Sequence, residues 1–334
     1  MNLSDNTEMF QEINGAVYFP ASVYNVDQSW AEYDPVMTSR DFGYAERIHL
    51  NALRVFGSYY AYQQDPDLYQ RNIRDMLEKA AAKGLKILFV IFEDCGLEPT
   101  DALRWSKDPL TAVAIKSPGS AVTGNPANWQ PCKEHVKWFM DNFKNDQRLL
   151  GIEVINEPSA DTKPFAHAVL AVAVSNKGTV PLTIGTIPEQ VLEYVPDGVD
   201  VLQLHNNFPA ELTESEKIIR ENLQKASSVK LPLWMTEWQR TRPSGGYWDG
   251  TSVPEAERFT DLKSLAGQVK SYRTQMGAFF WSLMIKPAYL PGQRKAGTLN
   301  GLFWEDGRVW DLAGARIIAD NPQLPLIEYT KIPF

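Results

Sequence analysis

The chain has 334 residues, 44% of them hydrophobic and 22% charged, which is enough apolar material for a large soluble core. A net charge of −8 with no Lys/Arg-rich run argues against nucleic acid or an anionic membrane as partner. No apolar run approaches a membrane span, and Met1 to Glu12 is polar and acidic, unlike a secretory signal; a cytoplasmic location is expected unless a leader has been removed.

Taken in order, Ala16 to Phe19 predicts a first strand stopped by Pro20, and Ser39 to Leu50 a helix. Ala52 to Phe56 is strand two. Asp65-Pro66 offers an N-cap followed by proline at the first helical position, opening a helix that runs to Lys83 and stops at Gly84. Leu85 to Phe92 is strand three, and helix Lys133 to Asn145 leads into strand four, Ile152 to Asn156. Helix Pro164 to Asn176, strand Pro181 to Thr186, short helix Pro188 to Tyr194 and strand Val199 to His205 follow. Thr213 to Glu216 fits a capping box for a helix reaching Ala226. Strand seven, Leu231 to Thr236, delivers Glu237; helix Pro254 to Gln275, strand Gly277 to Leu283 and helix Asp311 to Ala319 complete the chain.

Eight strand–helix alternations with near-continuous apolar strands are what a parallel sheet covered by helices requires. The expectation is α/β, a single (β/α)8 TIM barrel over residues 1–334 with long βα loops at 93–131, 238–253 and 285–301. A doubly wound open sheet would want a Gly-rich first turn, which Phe19-Pro20-Ala21-Ser22 is not. The first long loop is expected to lack regular structure and to be functional. Cys95 and Cys132 bracket it; two free thiols is the simpler reading, and a disulfide would need an oxidising compartment.

The ends of the strands carry the chemistry. Strand four ends in Asn156-Glu157-Pro158, and Pro158 cannot continue a central strand. Arg54 lies in strand two, Glu93 and Asp94 follow three, His205 ends six, Glu237 follows seven and Trp281 lies in eight. In a barrel these converge on one mouth. Here the set resembles clan A glycoside hydrolases, family 5 in particular, over about Val17 to Asp320. The resemblance implies a retaining β-glycoside hydrolase acting on neutral mannan- or glucan-type chains, with Glu157 as general acid/base and Glu237 as nucleophile. It further implies Arg54 holding Glu237, Asn156 on the sugar 2-OH, His205 beside the carboxylates and Trp281 beneath the sugar. Exo action on short oligosaccharides is the alternative within that class. A barrel that binds carbohydrate without cleaving it is the alternative outside it.

Two positions depart from the family pattern: Phe92-Glu93-Asp94 stands where a His is common, and His205-Asn206-Asn207-Phe208 has no Tyr two residues after the His. Plainer readings stand beside the sharp ones. Arg54 inside an apolar strand needs a charged partner, and Glu153 serves as well as Glu237. His205 could be a satisfied core histidine and Trp281 a barrel plug. Glu93 and Asp94 are rivals for the acid/base role. Tyr59, Tyr60, Trp129, Trp238, Trp248 and Trp304 lie on predicted top-face loops, where some are expected to stack on sugars although each singly is better read as packing; Arg240 and Arg242 could meet an acidic sugar. No His-x-His, His-Glu-x-x-His or Cys-x-x-Cys occurs, nor a phosphate-binding loop, so neither metal nor cofactor is expected.

Overall fold

Eight strands form one parallel sheet: β1 (Asn14–Tyr18), β2 (Ala52–Phe56), β3 (Lys86–Glu93), β4 (Leu149–Asn156), β5 (Leu182–Gly185), β6 (Leu202–Asn207), β7 (Leu233–Gln239) and β8 (Gly277–Phe280). The computed structural model describes residues 12–108, 114–207, 209, 211–240, 259, 261–287 and 299–331. The strand order is β5-β4-β3-β2-β1-β8-β7-β6, with sequential strands adjacent. The seam between β5 and β6 is bridged by Asp200 N to Leu182 O at 2.8 Å and His205 N to Thr186 O at 2.9 Å. The Thr183 and Thr186 hydroxyls add bonds to the carbonyls of Val201 and Gln203. The result is a nearly closed (β/α)8 barrel.

Local chemistry accounts for where the helices start. Asp65 caps helix Pro66–Ala81 by accepting from Leu68 N, with proline at the first position as expected. The helix expected from Ser39 starts earlier, at Pro35, because Asp34 caps it by accepting from the amides of Val36 and Met37. Helix Leu212–Val229 has no side-chain cap at its start; the Glu216 carboxylate that a capping box would use is bonded to Arg220 at 2.6 Å. Long loop 93–131 is not structureless. It contains helices Asp101–Arg104 and Ser120–Thr123 and a 3-10 turn at Pro126–Asn128, and is tied to the barrel by reciprocal bonds between Glu93 and Ser117. Cys95 and Cys132 are both free thiols.

Strand eight ends at Phe280 rather than Leu283, and the Trp281–Ser282 peptide is cis. Of the helix expected over Pro254 to Gln275, Leu262–Lys270 is helical, while residues 254–258 and 260 lie outside the described residues. So do most of the expected loops 238–253 and 285–301. A short antiparallel pair, β9 (Lys286–Pro287) and β10 (Leu299–Asn300), frames the last of these. Among the described residues no helix is long and apolar enough to cross a membrane.

The barrel interior is layered. Ile13, Ala52, Leu88, Leu150, Val201, Trp234 and Phe279 form one apolar cluster, and Val17, Phe19, Val26, Phe56, Val90, Ala114 and Trp281 another. Between them in sequence register come Arg54, Glu153 and Gln203, one from each of β2, β4 and β6, all buried. Side chains from alternate strands share a layer in such barrels, which is why these three meet. A buried polar layer is tolerated only when its groups are bonded to one another. Here Thr236 Oγ1 donates to Gln203 Oε1 at 2.5 Å, Gln203 Nε2 to Glu153 Oε2 at 3.0 Å, and Arg54 Nε to the same oxygen at 2.8 Å.

Candidate active site

Arg54 carries this buried layer up to the mouth of the barrel. Its side chain is wholly excluded from solvent and its Nη2 reaches Glu153 Oε1 at 2.5 Å and Asn156 Oδ1 at 2.7 Å, while Nη1 reaches Glu237 Oε1 at 2.6 Å. The two roles open for Arg54 are therefore both filled: one guanidinium serves a structural carboxylate with one edge and Glu237 with the other. Burial works against its charge, but Glu153 and then Glu237 raise its pKa overall, so the cation is secure. Glu237 lies within β7, not beyond it, and its other oxygen accepts from Asn207 Nδ2 at 2.7 Å. A donor on each oxygen fixes the plane of this carboxylate.

Glu157 is presented differently. It follows β4 with φ +43°, an uncommon left-handed conformation for a side chain of this size, and its amide is tied to Gly185 O at 2.9 Å. Strain at this one residue turns the side chain out of the strand's alternation and into the mouth, where 22% of it meets solvent. His205 Nδ1 lies 2.5 Å from Glu157 Oε1 and 3.8 Å from Glu237 Oε2, so the imidazole bridges both acids. Burial pushes Glu157 up, but His205 outweighs it and leaves the carboxyl below its ordinary value. Burial pushes His205 down, and the charges of Glu237 and Glu157 outweigh that and raise it. Both shifts favour carboxylate facing imidazolium across the 2.5 Å contact. Glu157, His205 and Glu237 bring one ligand atom each to within 4.8 Å of one another. That is a donor set a divalent ion would accept, but the short Nδ1–Oε1 contact already uses the facing atoms of the first two.

The rival acids have other work. Asp94 Oδ2 accepts from Ser159 N at 2.9 Å and from the Thr162 hydroxyl, and Lys116 Nζ lies 3.2 Å from its Oδ1; it pins the segment after Glu157. Glu93 Oε1 accepts from Asn156 Nδ2 at 2.8 Å and Cys95 N at 2.7 Å. Burial drives the Glu93 pKa well above its ordinary value, against those two donors and with help from Glu237. Trp281 is buried beside Phe19 and Phe56, with ring centroids at 6.1 and 6.5 Å.

The described aromatic residues pack or bond within the protein, as was expected of each taken singly. Tyr59 is buried against Phe92 and His135, and Trp238 sits inside β7 against Phe280 because strand seven runs further than expected. The indole of Trp304 donates to Tyr329 O at 2.8 Å, and that of Trp129 to Thr123 O at 2.9 Å. Tyr60 pairs with Trp105 and underlies Arg104. Arg240 is engaged with Ser264 and Asp261 instead of an open site; Arg242 and Trp248 lie outside the described residues. Sequence reading missed Asn207 and Gln203. The signal for Asn207 was its place two residues after His205, on the same strand face, where the family pattern has a tyrosine.

A parallel eight-stranded barrel with two acids, an arginine and a histidine meeting at the C-terminal ends of its strands has the site position common to enzymes of this architecture. No protein-family model matches the sequence, and no curated protein matches it. Solved structures do. The exo-β-1,4-mannosidase Op5Man5 from Opitutaceae bacterium strain TAV5 superposes with a TM-score of 0.64 and 15% identity, covering 92% of this chain and 58% of that one, so the chain spans less than two thirds of that protein's length. The glycoside hydrolase family 5 mannosidase from Rhizomucor miehei gives 0.61 at 13% identity, covering 93% and 92%. The endo-β-1,4-mannanase from Thermotoga petrophila gives 0.62 at 11%, covering 93% and 76%. At such identities the likeness is one of fold: this chain has the barrel of glycoside hydrolase family 5 structures.

Proposed function

We propose that the protein is a retaining β-glycoside hydrolase cleaving β-linked neutral saccharides, mannan-type before glucan-type, by double displacement. The observation that carries this reading is that one carboxylate oxygen of Glu157 and one of Glu237 lie within 4.8 Å of each other, in unequal surroundings. Retaining glycosidases hold their two carboxyls about 5–5.5 Å apart; inverting ones need several ångströms more for a water.

The surroundings allot the roles. Glu237, with a donor on each oxygen, attacks C1 as carboxylate. Glu157, the more open of the two, faces the leaving oxygen and later the incoming water. The imidazole of His205 lies 2.5 Å from Glu157 Oε1 and 3.8 Å from Glu237 Oε2, so loss of the Glu237 charge as the C1–O bond forms weakens its hold on a proton there. The proton then passes from Nδ1 to Glu157 and on to the leaving oxygen, which departs as an alcohol. Glu157, now a carboxylate, takes a proton from water as that water attacks C1 and the bond from C1 to Glu237 breaks, and the proton then returns to His205 Nδ1. Asn156, with Oδ1 fixed by Arg54 and one amide hydrogen by Glu93, has its second amide hydrogen for the sugar 2-OH. Trp281 is assigned to the floor of the same subsite.

Mannose preference is supported by the names of the fold neighbours, which include both exo- and endo-acting enzymes. The test is product analysis over β-mannan, β-glucan, xylan and aryl β-glycosides. Release of a β-configured sugar at first turnover is expected. Mannose alone from mannotetraose marks exo action and mixed shorter chains mark endo action. Absence of hydrolysis on all substrates, with oligosaccharide bound, would replace this reading with that of a binding protein.

A further inference from the structure

The tyrosine that the family pattern places two residues after the strand-six histidine is replaced here by Asn207, and what stands behind Asn207 is unusual. Asn207 Nδ2 donates to Glu237 Oε2 at 2.7 Å, and its Oδ1 accepts from Gln239 Nε2 at 3.1 Å. Gln239 Oε1 in turn accepts from Asn300 Nδ2. Asn207 and Gln239 are register partners at the ends of β6 and β7, and Asn300 reaches in from β10. Gln239 and Asn300 are both buried.

The direction of the three amides is not arbitrary. A carboxylate accepts only, so Asn207 must turn its NH2 to Glu237 and its oxygen to Gln239; Gln239 must then offer NH2, leaving its own oxygen for Asn300. We propose that Asn300, Gln239 and Asn207 form a one-way amide relay that sets the plane of the Glu237 carboxylate, with Gln239 as the positioning residue on which its direction depends. Arg54 grips one carboxylate oxygen and the relay the other, so rotation about the final side-chain bond is blocked. Successive donors polarise one another toward the carboxylate, and no member of the relay titrates. The inference rests on the hydrolase reading only for what Glu237 does once oriented.

Two near-isosteric variants test it. Gln239→Met removes the donor; Gln239→Glu removes it only while the new carboxyl is ionised. The first readout needs no turnover: the Asn207 side-chain amide signal in a 15N–1H spectrum, assigned by its loss in Asn207→Leu. It is expected to move in both Gln239 variants, because Asn207 loses the partner that orients it. The second readout is kinetic on an aryl β-mannoside. A loss of about tenfold in kcat with little change in KM is expected for Gln239→Met, the equivalent of one net hydrogen bond. For Gln239→Glu, activity relative to the native protein is expected to recover as pH falls and the new carboxyl regains a proton to donate. An unmoved Asn207 signal in both folded variants would overturn the relay, whatever the rates. A moved signal in a protein that turns over no glycoside would keep the relay and remove the hydrolase reading; turnover with an unmoved signal would do the reverse.

Discussion

His135 is a buried imidazole whose titration the fold suppresses. It lies on helix Gln130–Phe143, wholly buried, stacked on Tyr62 at 4.1 Å with Tyr59, Tyr69, Phe92 and Trp138 around it. Neither ring nitrogen has a hydrogen-bond partner among the described residues. Burial alone pushes its pKa from 6.5 down to about 3. The folded state therefore refuses a proton that the unfolded chain takes up below about pH 6.5. The stabilising difference is complete above that pH and is lost as pH falls toward 3, at up to ~1.4 kcal/mol per pH unit. Between pH 7.5 and 5.0 the loss from this residue alone should be about 2 kcal/mol. His135→Phe keeps the stacked ring and removes both the titration and the unpaired nitrogens. Urea unfolding of the two proteins at both pH values isolates the term, because carboxylates common to both cancel in the difference. The stability of His135→Phe relative to native should rise by about 2 kcal/mol on going to pH 5.0. A difference that stays constant to within ~0.5 kcal/mol would show that His135 titrates normally or is solvated in the folded state, and the burial argument would fall.

Other consequences bear on the site. Glu237→Ala should abolish turnover and, with azide, yield α-glycosyl azide, whereas Glu157→Ala should yield the β anomer and spare aryl glycosides with good leaving groups; the same anomer from both would contradict the division of roles. Glu153→Gln, which touches no sugar in this mechanism, should cost about 3–5 kcal/mol in denaturant unfolding, since it leaves Arg54 with an amide donor facing its own. Gly185→Ala would set a methyl 2.3 Å from Glu153 Oε1 and 2.9 Å from Asn156 Oδ1, both already bonded to Arg54, so loss of most activity and a stability cost of about 1–3 kcal/mol are expected. Prolonged dialysis against a chelator should leave kcat unchanged; a loss restored by one divalent metal would reassign the Glu157, His205 and Glu237 cluster.

Much of the frame was legible in the chain because burial on both faces forces barrel strands to be nearly all apolar. Arg54 and Glu153 were conspicuous for the same reason, as charges inside such strands. Helix starts were legible only where one side chain decides them: Asp65 was readable, but Thr213 failed because its expected partner Glu216 is drawn to Arg220 one turn on and to Tyr272, just beyond helix Leu262–Lys270.

What the sequence by itself determined was the alternation of strands and helices and which strand ends bear acids, since these depend on periodicity and on local chemistry. Which atoms meet was decided only in three dimensions. That Arg54 would divide itself between Glu153 and Glu237, that Glu93 would hold the amide of Asn156, and that Asn207 would stand in for a tyrosine with Gln239 and Asn300 behind it depend on strand register and barrel closure. Those bring together residues as distant in the chain as Arg54 and Glu237, 183 positions apart. No local pattern encodes such a distance; the packing of whole strands does.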